Sequence, residues 1–469
     1  MKTWIVILAC LFLAFGSMAG AEDEAADVVV VGGGAAGLTA AIEASSQGLD
    51  VILLEKMPFV GGSTVISGGA TIAAGSSIQE AAEADVTSDD LYDFLMEEAD
   101  GQANSDFLRS IVDISGPTID WLVDLGVPYV EDQAWQGSPH SEHRFGHSVD
   151  GGGSQLTESL RSIASDKGVD IRVESPGVGL VSDDTGAVVG VKVEDPDETY
   201  ELTADKVILA TGSIAGSDEL MEELALPFLN NLNLTGQGNT GDGMVWAREL
   251  GADVIGRGVM GIRGVDEHHG YYGDVGGLVY DSTLYVNLAG ERFADETKFY
   301  PELHVDINNQ PGKITYAIFD QNNYHEAVDQ AIEEGLAYKG DTLEELAMKA
   351  SIVPDTFVET VEEYNQFYEA GEDEAFGVAA DRMTPALDPP FYAVVVRPAI
   401  IGTFPGLLVD DGGRVLTENG EAIPNLFAAG DLILGNVFWD TYPTSGGGIG
   451  MAVSSGRLAG ETASEQLTQ

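Results

Sequence analysis

The chain has 469 residues and carries 78 acidic side chains against 21 basic ones, a formal net charge of −57. So acidic a protein repels phosphate backbones, which excludes a nucleic-acid partner; 44% apolar content over this length also excludes an acidic disordered tail and a small disulfide- or metal-stapled scaffold. Glycine is abundant, 59 residues gathered in short runs, a pattern that lets backbone approach a phosphate-bearing cofactor closely.

Lys2, the apolar run Ile5 to Phe15 and the small residues Ser17, Ala19 and Ala21 have the layout of a secretory signal peptide over residues 1–21. The run is shorter than the ~20 residues that a spanning helix requires. The expectation is an exported protein, periplasmic or extracellular, with no stable membrane insertion after signal cleavage. Cys10 is the only cysteine and falls in that segment, so the mature chain is expected to have no disulfide, iron–sulfur ligand or CxxCH haem site. Any electron carrier of those kinds would be a separate protein. Acid is spread along the chain instead of lying in one block, which favours a solvated surface suited to high salt over a docking face for a cationic partner.

Val28 to Val31 reads as a buried parallel strand entering a tight turn. Leu38 to Ser46 has helical spacing, and Val51 to Leu54 is a second strand ending in Glu55. Gly32, Gly34 and Gly37 make GxGxxG at the strand-to-helix junction, completing a strand–helix–strand nucleotide-binding unit. Gly32 serves the tight turn, Gly34 lets N–H groups reach a pyrophosphate, and Gly37 lets helix and strand pack closely. Glu55 can accept from a ribose and would repel a 2′-phosphate. Residues 76–125 read as helical. Val169 to Val173, Gly177 to Ser182, Val188 to Val193 and Val207 to Leu209 read as strands, and a changed, aromatic-rich pattern from Arg257 to Arg382 reads as an inserted domain with helices at Thr342 to Lys349 and Asp355 to Ala370. Strand patterns resume at Phe391 to Val396 and Leu426 to Gly430, as if the nucleotide-binding domain were completed there.

Val28 to Lys56, GGSTVISGG at Gly61 to Gly69, VILATG at Val207 to Gly212, TGDGMVWARELGA at Thr240 to Ala252, NLAGERFADE at Asn287 to Glu296 and LFAAGD at Leu426 to Asp431 together resemble the flavoprotein family of fumarate reductase, urocanate reductase and 3-ketosteroid dehydrogenase. Asp341 to Ala347 and Thr360 to Gly377 are similar to the cap helices of its soluble members. The resemblance implies an α/β fold: a discontinuous Rossmann-like FAD-binding domain over 22–256 and 385–469, with an inserted α+β cap over 257–384. It implies FAD contacts at Gly32, Gly34, Gly37, Glu55, Lys56, Gly62, Ser63, Gly69, Thr211, Gly212, Asp242, Gly430, Asp431, Gly448 and Ile449. Ser63 stands where membrane-bound relatives carry a flavin-linked histidine, so FAD is expected to be non-covalent. The glycines from Gly446 to Gly450 can present N–H groups at a helix start to the flavin.

Departures from the family bear on substrate. In fumarate reductases an arginine proton donor stands in a TxRD context; here Glu296, Thr297, Lys298, Phe299 and Tyr300 stand instead. Ile400, Ile401, Gly402 and Thr403 replace the HHT histidine motif, and a second carboxylate-binding arginine is missing around Tyr442 and Pro443. Thr441 to Gly446 resembles the YPxxG element of 3-ketosteroid dehydrogenases, in which the tyrosine hydroxyl and the glycine N–H polarise a substrate carbonyl; Gly402 and Thr403 fit their GT.

The expected enzyme therefore reduces, or forms, a C=C conjugated to a carbonyl or carboxyl in a small molecule. Tyr442 and Gly446 would sit at the carbonyl, with Lys298, Tyr300 or His304 as proton-delivery candidates. A cytochrome c or quinol-linked electron partner is expected. The alternatives are a fumarate-type dicarboxylate reductase and a flavin-holding electron-transfer module without its own substrate. Arg292 is expected to brace the cap. His140, His143 and His147 read as an exposed loop and not as a metal site, because Pro139 and Arg144 interrupt them and no carboxylate pair stands at ligand spacing.

Overall fold

The computed structural model describes residues 24–194, 199–270, 273–280 and 283–468. The signal-like segment and Cys10 lie outside them. Among the described residues, no helix is long and apolar enough to cross a membrane.

The nucleotide-binding unit forms as the sequence dictates. Strand β1 (Ala25–Val31) runs into helix α1 (Ala35–Ser46), and strand β2 (Val51–Leu54) returns beside β1. Strands β3 (Asp170–Arg172), β4 (Thr199–Leu209) and β5 (Ala422–Ala428) complete a parallel order β3-β2-β1-β4-β5. Val28 pairs with Val51 and Val31 with Leu54 on one side, while Val31 pairs with Leu209 on the other. Val28, Val29 and Val30 are wholly buried because both faces of the sheet are covered, which is why β1 reads as a continuous apolar run instead of an alternating one. The topological switch lies between β1 and β4, where open α/β sheets leave a crevice at the strand C-termini.

Helix α2 (Gly447–Thr468) crosses α1 at close range. A side chain on Gly456 would begin 2.2 Å from the Ala36 carbonyl oxygen, and one on Gly460 would begin 2.7 Å from that of Ala40. Part of the glycine excess therefore serves helix–helix contact and not the cofactor. The crossing seats the N-terminus of α2 at the crevice. The three helices Ser77–Ala81, Ser88–Glu98 and Ser105–Asp124 occupy the stretch read as helical, the first two opened by capping boxes at Ser76 and Thr87.

The second sheet belongs to the cap. Strand Thr315–Asp320 pairs antiparallel with Leu284–Asn287 and with the long strand Phe391–Thr403. The sequence reading gave Phe391–Val396 to the nucleotide-binding domain, but these residues pair with Thr315–Asp320 and Ala337–Gly340 inside the cap. A buried apolar run does not say which sheet it joins. The same strand continues through Arg397–Thr403, pairs with Val259–Gly264, and carries Gly402 and Thr403 back to the crevice. Helices Leu343–Ala350 and Pro354–Ala370 cover the cap sheet through Leu346, Phe357, Val361 and Tyr364.

Arg292 braces this layer. Its guanidinium lies 2.9 Å from both Glu296 and Asp373, with all three side chains buried, and it stacks over the rings of Tyr364 and Phe376.

Candidate functional site

A cleft of about 1250 Å³ follows the C-terminal ends of β1, β2, β4 and β5 and continues beneath the cap. At one end, Gly32 takes φ +110°, and a Cβ there would meet the Ala210 carbonyl oxygen at 2.2 Å; a Cβ on Gly37 would sit 1.8 Å from the Gly32 oxygen. Those two glycines lock the turn onto β4. Gly34 has nothing within 4 Å of its Cβ position, which leaves room beside the helix start for a diphosphate. The Glu55 carboxylate accepts from the N–H groups of Gly33 and Met57, each at 2.8 Å, so it braces the glycine turn at the edge of the cleft. Lys56 pairs with Asp242 at 2.6 Å and donates to Thr240, and Trp246 closes this end.

In the middle of the cleft, Ser63 Oγ accepts from Gly236 N–H and from Asn239 Nδ2, both at 3.0 Å. The Asn239 Oδ1 accepts from Ser213 N–H at 2.8 Å, and a side chain on Gly212 would collide with it at 1.9 Å. Asn239 thus ties the VILATG turn to the segment bearing Ser63, a role that sequence reasoning missed although it directly precedes the recognised TGDG. Gly62, Gly430 and Asp431 also line this stretch. Removal from water pushes the Asp431 carboxyl up to about 7. Thr211 Oγ1 is buried with no protein partner among the described residues. Gly69 does not line the cleft; a Cβ there would strike Gly152 at 2.4 Å, so its glycine is required for packing.

At the cap end stand Tyr442, Ser445, Gly446, Gly448 and Ile449, with Tyr300, Met260, Ile262 and Ile401 opposite. Trp439 adopts φ 55° and ψ −77°, a sparsely populated conformation that turns the chain toward Tyr442. The Tyr442 hydroxyl accepts Gly448 N–H at 3.3 Å, so the start of α2 orients it. Gly446 takes φ +85° against Thr71, and among the described residues no acceptor takes its N–H. Tyr300 Oη lies 3.1 Å from Ser445 Oγ, and its ring centroid is 6.3 Å from that of Tyr442. Met260, which sequence reasoning also missed, folds over Gly402 and Gly448; a Cβ on Gly402 would come within 1.8 Å of its Cε.

The other proton-delivery candidates lie elsewhere. Lys298 pairs with Asp306 at 2.7 Å outside the cleft. His304 is buried behind strand Val259–Gly264, stacked on Phe228, and burial followed by the charge of Lys313 pushes its pKa down to about 3. A buried apolar helix face hides a histidine as readily as a loop exposes one, and spacing does not separate the two.

Several observations fit a bound dinucleotide: open space beside the helix start at Gly34, the acid Glu55 at the end of β2, a buried Thr211 hydroxyl with no protein partner among the described residues, and the desolvated Asp431 carboxyl, all along one continuous cleft. The FAD-binding domain family model matches residues 27–449. The chain belongs to this FAD-binding family. The probable fumarate reductase Ifc3 of Shewanella frigidimarina is 30% identical over 461 residues, covering 96% of this chain and 76% of that protein. A vinyl phenol reductase of Lactiplantibacillus plantarum is 28% identical, covering 96% of this chain and 98% of that protein. The solved 3-ketosteroid-delta4-(5alpha)-dehydrogenase of Rhodococcus jostii RHA1 in complex with 4-androstene-3,17-dione superposes with a TM-score of 0.74 at 26% identity, covering 95% of this chain and 98% of that one. This FAD-binding protein is accordingly an oxidoreductase of CH–CH bonds, built on the α/β flavoprotein fold.

The three loop histidines part company in the fold. His140 and His143 are on the surface loop, but His147 is wholly buried in strand Gly146–Ser148, where its Nε2 lies 2.7 Å from Ser76 Oγ and burial lowers its pKa to about 4. It pairs in the short sheet with Thr71, which corrects the reading of all three as exposed. Among the described residues no group of three His, Cys, Asp or Glu could hold a metal ion.

Proposed function

We propose that this enzyme reduces, or in reverse forms, a C=C bond conjugated to a neutral carbonyl, with the Tyr442 hydroxyl and the Gly446 N–H at the carbonyl oxygen and Tyr300 exchanging the proton. The observation that carries this reading is the pairing of those two donors at an apolar cleft end walled by Met260, Ile262 and Ile401. Among the described lining residues there is no arginine. Lys56, at the other end, is committed to Asp242, and the cap imidazole His269 already lies between Asp266 and Glu334, each at 2.9 Å. His268 and Glu267 also line the cap side, so the described lining offers a substrate carboxylate an imidazole beside a carboxylate but no guanidinium.

Bound FAD supplies the hydride exchange. The chain's own residues polarise and orient. Two donors aimed at one oxygen favour the enolate-like charge that develops as hydride reaches the β-carbon, and Tyr300 stands across the cleft to move a proton at the neighbouring carbon. Anaerobic mixing of the reduced enzyme with enones, aryl acrylates and fumarate tests the proposal. Flavin reoxidation by enones is expected; preferential reoxidation by fumarate would overturn the neutral-carbonyl reading, and no reoxidation by any of them would favour an electron-transfer module.

The same reading includes non-covalent FAD, since Ser63 offers a hydroxyl already accepting two N–H bonds and no imidazole. Acid precipitation should release free FAD; flavin remaining with the pellet would refute it. Export, inferred from the leading apolar segment, would place the enzyme where a cytochrome c or quinol-linked protein delivers electrons. Saturable oxidation of NADH by the pure enzyme would count against that partner.

A further inference from the structure

The loop from Trp135 to Gly146 touches both sides of the reactive end. The Gly137 carbonyl accepts Ser445 N–H at 2.9 Å, and a Cβ on Gly137 would lie 2.3 Å from Thr444 Oγ1, so loop backbone presses on the turn that carries Tyr442 and Gly446. Three residues further on, His140 Nδ1 lies 3.1 Å from Glu98 and its Nε2 lies 3.1 Å from Glu302. Its ring meets Phe299 edge-on at 6.1 Å. Glu98 ends helix Ser88–Glu98 in the FAD-binding domain, whereas Glu302 sits in the first turn of the cap helix Tyr300–Asn308, which begins with Tyr300 itself. Tyr300 meets Ser445 at 3.1 Å, which closes a ring of contacts from loop to cap helix to glycine turn and back.

An imidazole with a carboxylate at each nitrogen satisfies both only as the imidazolium. The surrounding charges agree. Lys298 on the cap side is paired with Asp306 at 2.7 Å, while His143 on the loop faces Asp90 at 3.8 Å and Arg144 donates to the Ala82 carbonyl. Burial by itself would lower the His140 pKa, but the hydrogen bonds and charges of Glu98 and Glu302 outweigh it and hold the ring above the ordinary histidine value.

We propose that His140, as an imidazolium held between Glu98 and Glu302, is a positioning residue that fastens the first turn of the cap helix and so holds Tyr300 against Ser445 and Tyr442. The folded-state value is raised, so the bridge is fully formed below the unfolded histidine value of about 6.5 and is lost as pH rises through the higher folded value. The cap helix therefore loosens toward alkaline pH. The inference rests on the proton-transfer role proposed for Tyr300, and its test separates the two.

Amide hydrogen exchange of residues 299–308, corrected for intrinsic rates, would be followed in the FAD-loaded enzyme from about pH 6 to about pH 9, alongside kcat and KM on the preferred substrate. Wild-type protection should fall as pH rises. His140→Gln and Glu302→Gln should remove that pH dependence and exchange roughly two- to fivefold faster at the acidic end, the modest factor expected of partly exposed pairs. His140→Lys, cationic throughout, should keep protection at the alkaline end. Protection that follows the same pH course in wild type and His140→Gln would overturn the bridge. Exchange that behaves as expected while kcat stays constant would leave the bridge standing and remove Tyr300 from the reaction.

Discussion

Tyr300 of the cap and Ser445 of the glycine turn meet with their side-chain oxygens 3.1 Å apart, directly across from Tyr442. Two tyrosines from different domains thus face the same end of the cleft, and they should fail differently. On the proposed mechanism Tyr442→Phe removes a donor to the carbonyl oxygen and should lower turnover by ~10²-fold or more with FAD still bound. On the same proposal Tyr300→Phe removes the proton-transfer group and should cost ~10²- to 10⁴-fold. Single-turnover flavin reoxidation reads both; unchanged rates in Tyr442→Phe would reduce that residue to packing.

Asp431 sets binding against stability. Its carboxyl is pushed up to about 7 by burial, so between the unfolded aspartate value of about 3.9 and 7 the folded apoprotein holds a proton that the unfolded chain has released. Stability conferred by this group accordingly falls with rising pH over that window and stays low above it. Asp431→Asn should raise the thermal midpoint of the apoprotein at pH 8; on the proposed contact to FAD hydroxyls it should also weaken FAD retention, because one of the two acceptor oxygens becomes an NH2 donor. Calorimetry of apo and FAD-loaded forms checks both signs; a lower apo midpoint in the variant would mean that the carboxylate is compensated within the fold.

What the sequence made legible follows from how local each signal is. Val28 to Val31, the glycine turn and Glu55 are close in sequence, and their pattern alone specifies strand, turn and helix start. Tyr442, Gly446 and Gly448 are likewise one short segment, so the reactive turn could be read as a unit. Phe391–Val396 could not be assigned to its sheet, since an apolar run in a fully covered sheet looks alike in either domain. Asn239 and Met260 escaped because their roles depend on Gly212, Gly402 and Gly448, distant glycines whose missing side chains make room for them. His140 acquires a role only when Glu98 and Glu302 arrive from separate domains.

Arg292 should be the most costly single change in the cap. Its guanidinium satisfies Glu296 and Asp373, and Tyr364 adds a hydrogen bond to Glu296 at 2.6 Å. Arg292→Met would leave Glu296 buried without its cation and Asp373 held only by the N–H groups of Ala375, Phe376 and Val378, a loss of about 3–5 kcal/mol. Arg292→Met combined with Glu296→Gln and Asp373→Asn removes the stranded charges and should recover part of it. Urea denaturation followed by amide hydrogen exchange of the cap helices checks the order; a triple variant no more stable than the single would show that packing on Tyr364 and Phe376 matters more than charge.

Salt should stabilise the whole protein. With 78 carboxylates and 21 Lys and Arg side chains, even complete one-to-one pairing would leave most of the acids without a cation. Pairs such as Arg172 with Glu24 and Arg248 with Glu223 already take up part of that small supply of cations, so the uncompensated acids repel one another across the folded surface. Unfolding spreads them apart, which makes the compact state the one that gains from screening. The screening length is ~10 Å at 0.1 M salt and ~3 Å at 1 M. The thermal midpoint should therefore climb steadily from low to molar sodium chloride, with the enzyme loaded with FAD throughout so that cofactor loss does not mimic the effect. A flat midpoint over that range would show that the surface acids are spaced beyond one another's reach, and the acidity would then need an explanation in partner docking instead of solvation.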